Sequence, residues 1–339
     1  MKAAVFYKKH EMVVVEHQKK TPAANEVTVK IKACGVCGTD LHIYEGSDGA
    51  AKVTPPLVLG HEFSGIITEI GKDVKNLKLN DRVAVDPNDM CGECFFCKNG
   101  RENFCENFMG TGTTVDGGFA EYVTVRAKQA YKIPDHLTFE EAAMTEPVSC
   151  CLNGADLSEI KAGDNVLIFG GGSIGLIMLQ LARLSGAASV TLVEPIAWKR
   201  ELGRSLGADI VIDPLNESVK DVLNANNIKN IMRSIECVGS RGTMEAAIEH
   251  AGNGAFVMFF GLTGPSEEIS VKPYDIFKKE LTIRSSFINP YTFNRSIALL
   301  GSGRIRVKEL ITDIIPLDEI NKVFKDVSYR KKGKIIIEA

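Results

Sequence analysis

Val27, Val29 and Ile31 alternate with Thr28, Lys30 and Lys32, the period-two pattern of a strand with one buried face and one wet face. Phe63–Ile70 and Arg82–Val85 are further strand candidates, and the opening Met1-Lys-Ala-Ala-Val-Phe-Tyr7 runs straight into a strand-like pattern. Turn-forming residues separate these segments at Thr54-Pro-Pro56, Asn80-Asp81 and Asp86-Pro-Asn88. The first ~145 residues thus predict a compact β-rich barrel with loops.

The texture changes near Asp164. Asn165-Val-Leu-Ile-Phe169 is an apolar run that stops at glycines, and the helix-like Ile174–Leu184 follows. Val190–Val193, Ile210–Ile212, Ile231–Cys237, Ala255–Phe260 and Leu281–Arg284 are later apolar runs, with helical patterns such as Trp198–Leu206 between most of them. Strands that are apolar throughout and alternate with helices predict a parallel sheet covered on both faces. Six of them fit a complete doubly wound fold. Beyond residue 288 come helical patterns at Phe293–Leu300 and Asp318–Val327, then a last strand at Lys334–Ile337.

A length of 339 residues suits about two domains. The 45% hydrophobic and 24% charged content is that of an ordinary globular protein. A net charge of −3 gives no basic footprint, so no nucleic-acid partner is expected. No apolar run reaches the ~18 residues of a membrane helix, and the start lacks the apolar core of a signal peptide. The expected location is cytoplasmic, with no membrane partner. Nine cysteines, an odd number in tight clusters, favour thiolates on metal over a disulfide framework.

The densest cluster is Cys91-Gly-Glu-Cys94-Phe-Phe-Cys97, closed by Cys105. Cys91, Cys94, Cys97 and Cys105 are enough sulfur, near enough in sequence, for a closed tetrahedral zinc site. A second ligand set is Cys37 with His61, to which Glu62 or Glu146 adds a carboxylate. A catalytic zinc takes about three protein ligands and keeps one position open. Glu146 stands just before the glycine-rich half, where a cleft between domains would fall. Gly170-Gly-Gly172-Ser173-Ile174-Gly175 matches G-x-G-x-x-G between a strand and a helix. Gly170 would make the tight turn, Gly172 would let the backbone approach a pyrophosphate, and Gly175 would let helix and strand pack. The helix N-terminus then faces the phosphates. Glu194 ends the second strand, where an acid bonds a ribose diol and repels a 2′-phosphate, favouring NAD over NADP. Lys199 and Arg200 stand nearby as cations that can serve a 2′-phosphate.

These motifs in this order resemble the zinc-containing medium-chain dehydrogenases, in the polyol branch with sorbitol, threonine and butanediol dehydrogenases. The resemblance rests on Cys37-Gly-Thr39-Asp40-Leu-His42, Gly60-His61-Glu62, the four lobe cysteines, Asp116-Gly-Gly-Phe-Ala-Glu121-Tyr, Glu146-Pro147 and the Gly170 turn. It implies an α/β two-domain protein: a GroES-like β-barrel catalytic domain (1–146 and 288–339) and a Rossmann NAD-binding domain (147–287). It implies two zinc ions per chain and a homodimer or homotetramer. By resemblance Cys37 and His61 are catalytic zinc ligands, and Glu146 holds the third-ligand position. Glu62 matches a glutamate that is a direct ligand in some members and lies behind the ligands in others. Thr39 bonds the substrate alcohol, His42 relays its proton toward solvent, and Asp40 stands behind the ligands.

The activity implied is hydride transfer between NAD and a secondary alcohol of a polyol. A vicinal diol or L-threonine is the alternative substrate, and a zinc- and dinucleotide-binding protein without catalysis the alternative class. Animal sorbitol enzymes of this branch carry an Arg-Tyr pair after the last Rossmann strand. Here the stretch reads Phe287-Ile-Asn289-Pro290, which turns the expectation from sorbitol toward another pentitol or hexitol, or a phosphorylated polyol. Tyr44, Phe108, Thr111 and Asn289 are candidates to line the pocket.

Overall fold

A computed structural model describes residues 1–49 and 51–339. The chain divides into two compact units, Met1–Ser149 with Ile288–Ala339, and Cys150–Phe287. The division follows Ser149 rather than Glu146. The reason is local: Asn289 donates to Ser149 Oγ at 2.6 Å and Thr292 Oγ1 to the Ser149 carbonyl at 2.8 Å, tying this residue to the returning segment.

In the first unit the long strand Glu26–Val36 is the organiser. It pairs antiparallel with Glu62–Ile70, Tyr122–Arg126 and the C-terminal strand Lys334–Glu338, so the seven-stranded sheet branches there. Its apolar positions Val27, Val29 and Ile31 are fully buried as expected, but the opposite face is not wet: Thr28 is also fully buried and Lys30 and Lys32 are half-buried. The three apolar residues join Phe63, Ile67, Val83, Val85, Phe119 and the returning Ile335 and Ile337 in one core. A three-stranded sheet of Glu11–Glu16, Lys2–Lys8 and Leu57–Val58 and a two-stranded one of Asn88–Asp89 and Met109–Gly110 complete the unit's β framework. The helix expected over Asp318–Val327 is only Asn321–Lys325, between 3-10 turns at Leu317–Glu319 and Val327–Lys331. The Asp326 carboxylate accepts the Ser328 N–H at 2.8 Å, which starts a new turn and stops the helix.

The second unit is a six-stranded parallel sheet in the order Ile210–Ile212, Ser189–Val193, Asn165–Phe169, Arg233–Glu236, Phe256–Phe259, Thr282–Ser285. The order reverses beside Asn165–Phe169, so the crevice of this doubly wound sheet opens where Phe169 and Glu236 end. The helix Ser173–Leu184 buries eight of its residues, from Gly175 to Ala182. One expectation fails: Thr282–Ser285 is exposed along its whole length rather than covered on both faces. It is the outer strand, bonded on one side only.

Candidate functional site

Cys37 follows the strand Glu26–Val36 and caps the helix Gly38–Tyr44. Its N–H donates to Asp40 Oδ2 at 2.9 Å, and Asp40 Oδ1 lies 3.3 Å from His61 Nδ1. The buried Asp40 thus fixes the Cys37 N–H and faces His61 Nδ1 without a hydrogen bond to it, both atoms being buried and unpartnered, and with Nδ1 turned to Asp40, His61 would keep Nε2 for a metal. His61 follows Gly60, whose φ is +91°, and a side chain there would overlap Phe119 and Cys34. The ligand atoms of Cys37, His61 and Glu62 lie within 4.8 Å of one another. Burial works to lower the His61 pKa, but Asp40 and Cys37 more than offset it and hold it well above the ordinary value. A thiolate, an imidazole and a carboxylate gathered there fit a zinc ion, which would displace that proton.

Glu62 opens the strand Glu62–Ile70 opposite Gly35. Its carboxylate oxygens accept from Lys334 Nζ at 2.8 and 2.6 Å. Lys334 also donates to the Val36 carbonyl at 3.2 Å. Burial alone would lower the Lys334 pKa, yet Glu62 and Cys37 raise it. Sequence reading missed this residue. The available signal was a lysine heading an apolar strand, next to the run Arg330–Lys332, whose Arg330 and Lys332 pair with Glu45 and Asp313. Glu146 is buried near the start of the helix Thr145–Ser158 and outside the gathered set of three. Its charge is felt at Lys334. Thr39 Oγ1 stands 3.7 Å from Cys37 Sγ, and His42, one helical turn on, is exposed.

The four lobe cysteines also meet: their sulfurs lie within 4.8 Å of one another, with Cys91 and Cys97 at 4.0 Å. Tetrahedral Zn–S bonds of about 2.3 Å require S–S separations near 3.8 Å, so the lobe fits the ion. N–H groups of Glu93 and Cys94 point at Cys91 Sγ, and that of Cys91 at Cys105 Sγ. The first two lower the Cys91 thiol to about 6, whereas burial first and neighbouring thiols second push Cys97 up to about 12. Four sulfurs this close want a cation among them. All nine cysteines are free of disulfides.

In the second unit Gly170 has φ +99°. A side chain at Gly175 would strike the Gly170 carbonyl, and above Gly172 the space is open. Gly172 caps the helix that starts at Ser173 and Ile174, so its N–H groups face that space. The buried Glu194 accepts the N–H of Gly171 at 2.7 Å and of Ile196 at 2.8 Å, tying the turn to the second strand. Arg200 is committed to Asp213 at 3.0 Å and the Glu194 carbonyl at 2.8 Å. Lys199 is buried, with its pKa lowered by burial. A further group unread in the sequence is Glu236. It accepts from the N–H groups of Val238 and Gly239 and from Thr243 Oγ1, fixing the loop beside the glycine turn.

The proposed pocket residues scatter. Tyr44 is buried in the core against Phe324 and donates to the His10 carbonyl. Phe108 packs on the cysteine lobe and Thr111 accepts from Gln129. Asn289 joins Asn88 and Asp86 in a buried network. Burial pushes Asp86 up to about 6, against 3.8 ordinarily, only partly offset by bonds from Asn88 and Asn289. The folded state therefore holds the proton that the unfolded chain releases, and stability falls as pH rises from about 4 to 6. Asp86→Asn keeps an acceptor and removes this slope, on the order of 3 kcal/mol. Its melting temperature relative to wild type should climb between pH 4 and 7, and a constant difference would contradict the assignment.

A unit with two metal-ligand groups and a second unit with a dinucleotide turn make this a zinc-dependent dehydrogenase by class. Comparison with known proteins goes further. The Alcohol dehydrogenase GroES-like domain matches residues 23–135 and the Zinc-binding dehydrogenase domain residues 173–302. D-arabinitol dehydrogenase 1 of Uromyces fabae is 33% identical, with 100% of this chain and 97% of that protein aligned. A zinc-binding dehydrogenase of Sinorhizobium meliloti 1021, solved bound to NADP, superposes with a TM-score of 0.94 at 38% identity over 100% of this chain and 99% of that one. Galactitol-1-phosphate dehydrogenase of Escherichia coli gives 0.91 at 28% identity, with both chains covered in full. The chain belongs to the zinc-containing medium-chain dehydrogenase family, in its polyol branch, and is an enzyme that uses zinc and a nicotinamide dinucleotide.

Proposed function

We propose that this enzyme transfers a hydride between NAD and a secondary alcohol of a polyol, free or phosphorylated. The observation that carries the reading is the gathered Cys37, His61 and Glu62 with the Thr39 hydroxyl 3.7 Å from the thiolate. The kinship with an arabinitol enzyme and a galactitol-phosphate enzyme supports the substrate class. Zinc held by Cys37, His61 and a carboxylate from Glu146 or Glu62 would make a substrate hydroxyl more acidic. Thr39 Oγ1 accepts the alcohol proton while donating its own toward His42, and the exposed imidazole hands it to water. Asp40 keeps the His61 ring in its tautomer. When bound, the nicotinamide would supply the acceptor for the hydride that the alcohol carbon loses.

NAD is the preferred cofactor in this reading, because Glu194 repels a 2′-phosphate and Arg200 is already paired. Glu194→Ser should lower the NAD:NADP ratio of kcat/KM about tenfold or more, worth ~1.4 kcal/mol. Higher kcat/KM of the unaltered enzyme with NADP would remove this role. A cytoplasmic location fits nine cysteines without a disulfide. No helix among the described residues is long and apolar enough to cross a membrane. A homodimer or homotetramer fits the exposed outer strand Thr282–Ser285, with Phe277 81% exposed nearby. The deciding experiment is a panel of pentitols, hexitols, their phosphates, vicinal diols and L-threonine with NAD and NADP, read by reduced-cofactor absorbance. A polyol should give the highest kcat/KM. A blank panel on zinc-replete protein would favour a binding protein without catalysis.

A further inference from the structure

Glu236 ends the strand Arg233–Glu236 and is fully buried. Its Oε1 accepts the Val238 N–H at 2.7 Å and the Thr243 hydroxyl at 2.7 Å, and both oxygens accept the Gly239 N–H, at 2.9 and 3.2 Å. Its carbonyl accepts the N–H groups of Phe260 at 2.9 Å and Gly261 at 3.0 Å. One residue thus holds two loops, each leaving the carboxyl end of a parallel strand. A carboxylate survives such burial only because donors meet its oxygens. The two loops also touch. A side chain at Gly261 would overlap Gly239 N and Glu236 Oε2, and one at Gly239 the Leu262 carbonyl. A side chain at Gly170 would strike Val238 Cγ2, so Val238 stands against the glycine turn. Val238 and Leu262 are 51% and 56% exposed, two apolar side chains displayed at the crevice end of the sheet rather than packed in its core.

Strand order decides which half of a dinucleotide meets them. A pyrophosphate over the turn after Asn165–Phe169 and an adenosine ribose at Glu194, after Ser189–Val193, leave the other half to the opposite neighbours. Those are Arg233–Glu236 and then Phe256–Phe259. We propose that Glu236 is a positioning residue for the nicotinamide half of the cofactor. Through the N–H groups of Val238 and Gly239 and the Thr243 hydroxyl it sets one loop against Gly261 of the other, and so presents Val238 and Leu262 as a preformed apolar wall for the ring. This rests on the reading of the Gly170 turn and Glu194 as the seat of the adenosine diphosphate half.

The test measures binding of NAD and of ADP to the full-length protein by titration calorimetry, with melting temperatures of the same samples. ADP carries the adenosine and both phosphates but no nicotinamide. Glu236→Gln keeps the shape, removes the charge and turns one acceptor into a donor. Its Kd for NAD should rise about tenfold while its Kd for ADP stays within about twofold of wild type. Thr243→Val removes only the hydroxyl and should weaken NAD about threefold, again without ADP, so it decides the matter even where Glu236→Gln does not fold. Thr243→Ser keeps the hydroxyl and should restore wild-type NAD binding. A merely structural role weakens NAD and ADP alike, whatever the melting temperature. That result overturns the proposal, as does wild-type NAD affinity in Thr243→Val or in a folded Glu236→Gln protein. The reading beneath it is checked separately, because Glu194→Ser should weaken ADP. Unchanged ADP affinity there refutes the seat of the adenosine half and removes the proposal with it.

Discussion

Thr39→Ala should lower kcat by about 10²–10⁴-fold, the usual worth of a general acid–base step, while zinc content and NAD affinity stay at wild-type values. The split follows from position. Thr39 sits one residue into the helix Gly38–Tyr44, its hydroxyl near the Cys37 sulfur but outside the ligand set. In the proposed relay, removing it would delete the first proton acceptor and leave the gathered Cys37, His61 and Glu62 in place. His42→Ala should cost less, because His42 is exposed and water can stand in for the last member of a relay. That cost should grow at low pH, where little hydroxide is available to take the proton. Stopped-flow formation of reduced cofactor on the best polyol, with metal analysis of the same samples, makes the comparison. A Thr39→Ala enzyme near wild-type speed would refute the relay and reopen the reading of a binding protein.

Cys94→Ser should act on the opposite quantity. Metal content should drop from two zinc per chain to about one, and the melting temperature should fall by roughly 5–10 °C, because a broken four-thiolate site forfeits folding free energy supplied by the metal. The lobe has little else to hold it. Its cluster is Met90, Cys94 and Cys105 with partly buried Phe96 and Phe108, and Phe95 is 67% exposed. The Cys37–His61 site, on other elements, should retain its ion, so kcat per folded molecule should change little. Calorimetry with elemental analysis separates the two effects. Unchanged stability together with two retained zinc ions would mean that Cys94 is not a ligand.

The chain announced those features whose cause is local. The strand alternation of Val27, Val29 and Ile31 needs only a buried face, and those residues are fully buried. The cysteine lobe is legible because its four sulfurs, gathered within 4.8 Å of one another, come from one short loop. The turn from Gly170 to Gly175 is legible because its steric demands, a positive φ and a helix pressed on the Gly170 carbonyl, fall within six consecutive residues. Apolar runs located the six parallel strands, since each has both ends marked by glycines, charges or turn residues. The fourth strand is Arg233–Glu236, shorter than the run Ile231–Cys237 by the apolar Ile231, Met232 and Cys237, while its polar Arg233, Ser234 and Glu236 are buried within the sheet, Arg233 facing Asp164.

By itself, then, the sequence determined the two-part architecture, the residue types able to hold zinc, and the dinucleotide turn. Tertiary structure alone decided how those residues meet. Asp40 faces His61, Gly35 clears room for Glu62, and Lys334 reaches that carboxylate from the far end of the chain. Each of these contacts is made by sheet register, Gly35 to Glu62 on one side and Ile336 to Gly35 on the other. Register depends on which strands pair and how they align across long sequence separations. No local pattern encodes that, since a buried lysine and a buried glutamate each look like surface residues until the fold brings them together and the charge of one offsets the desolvation of the other.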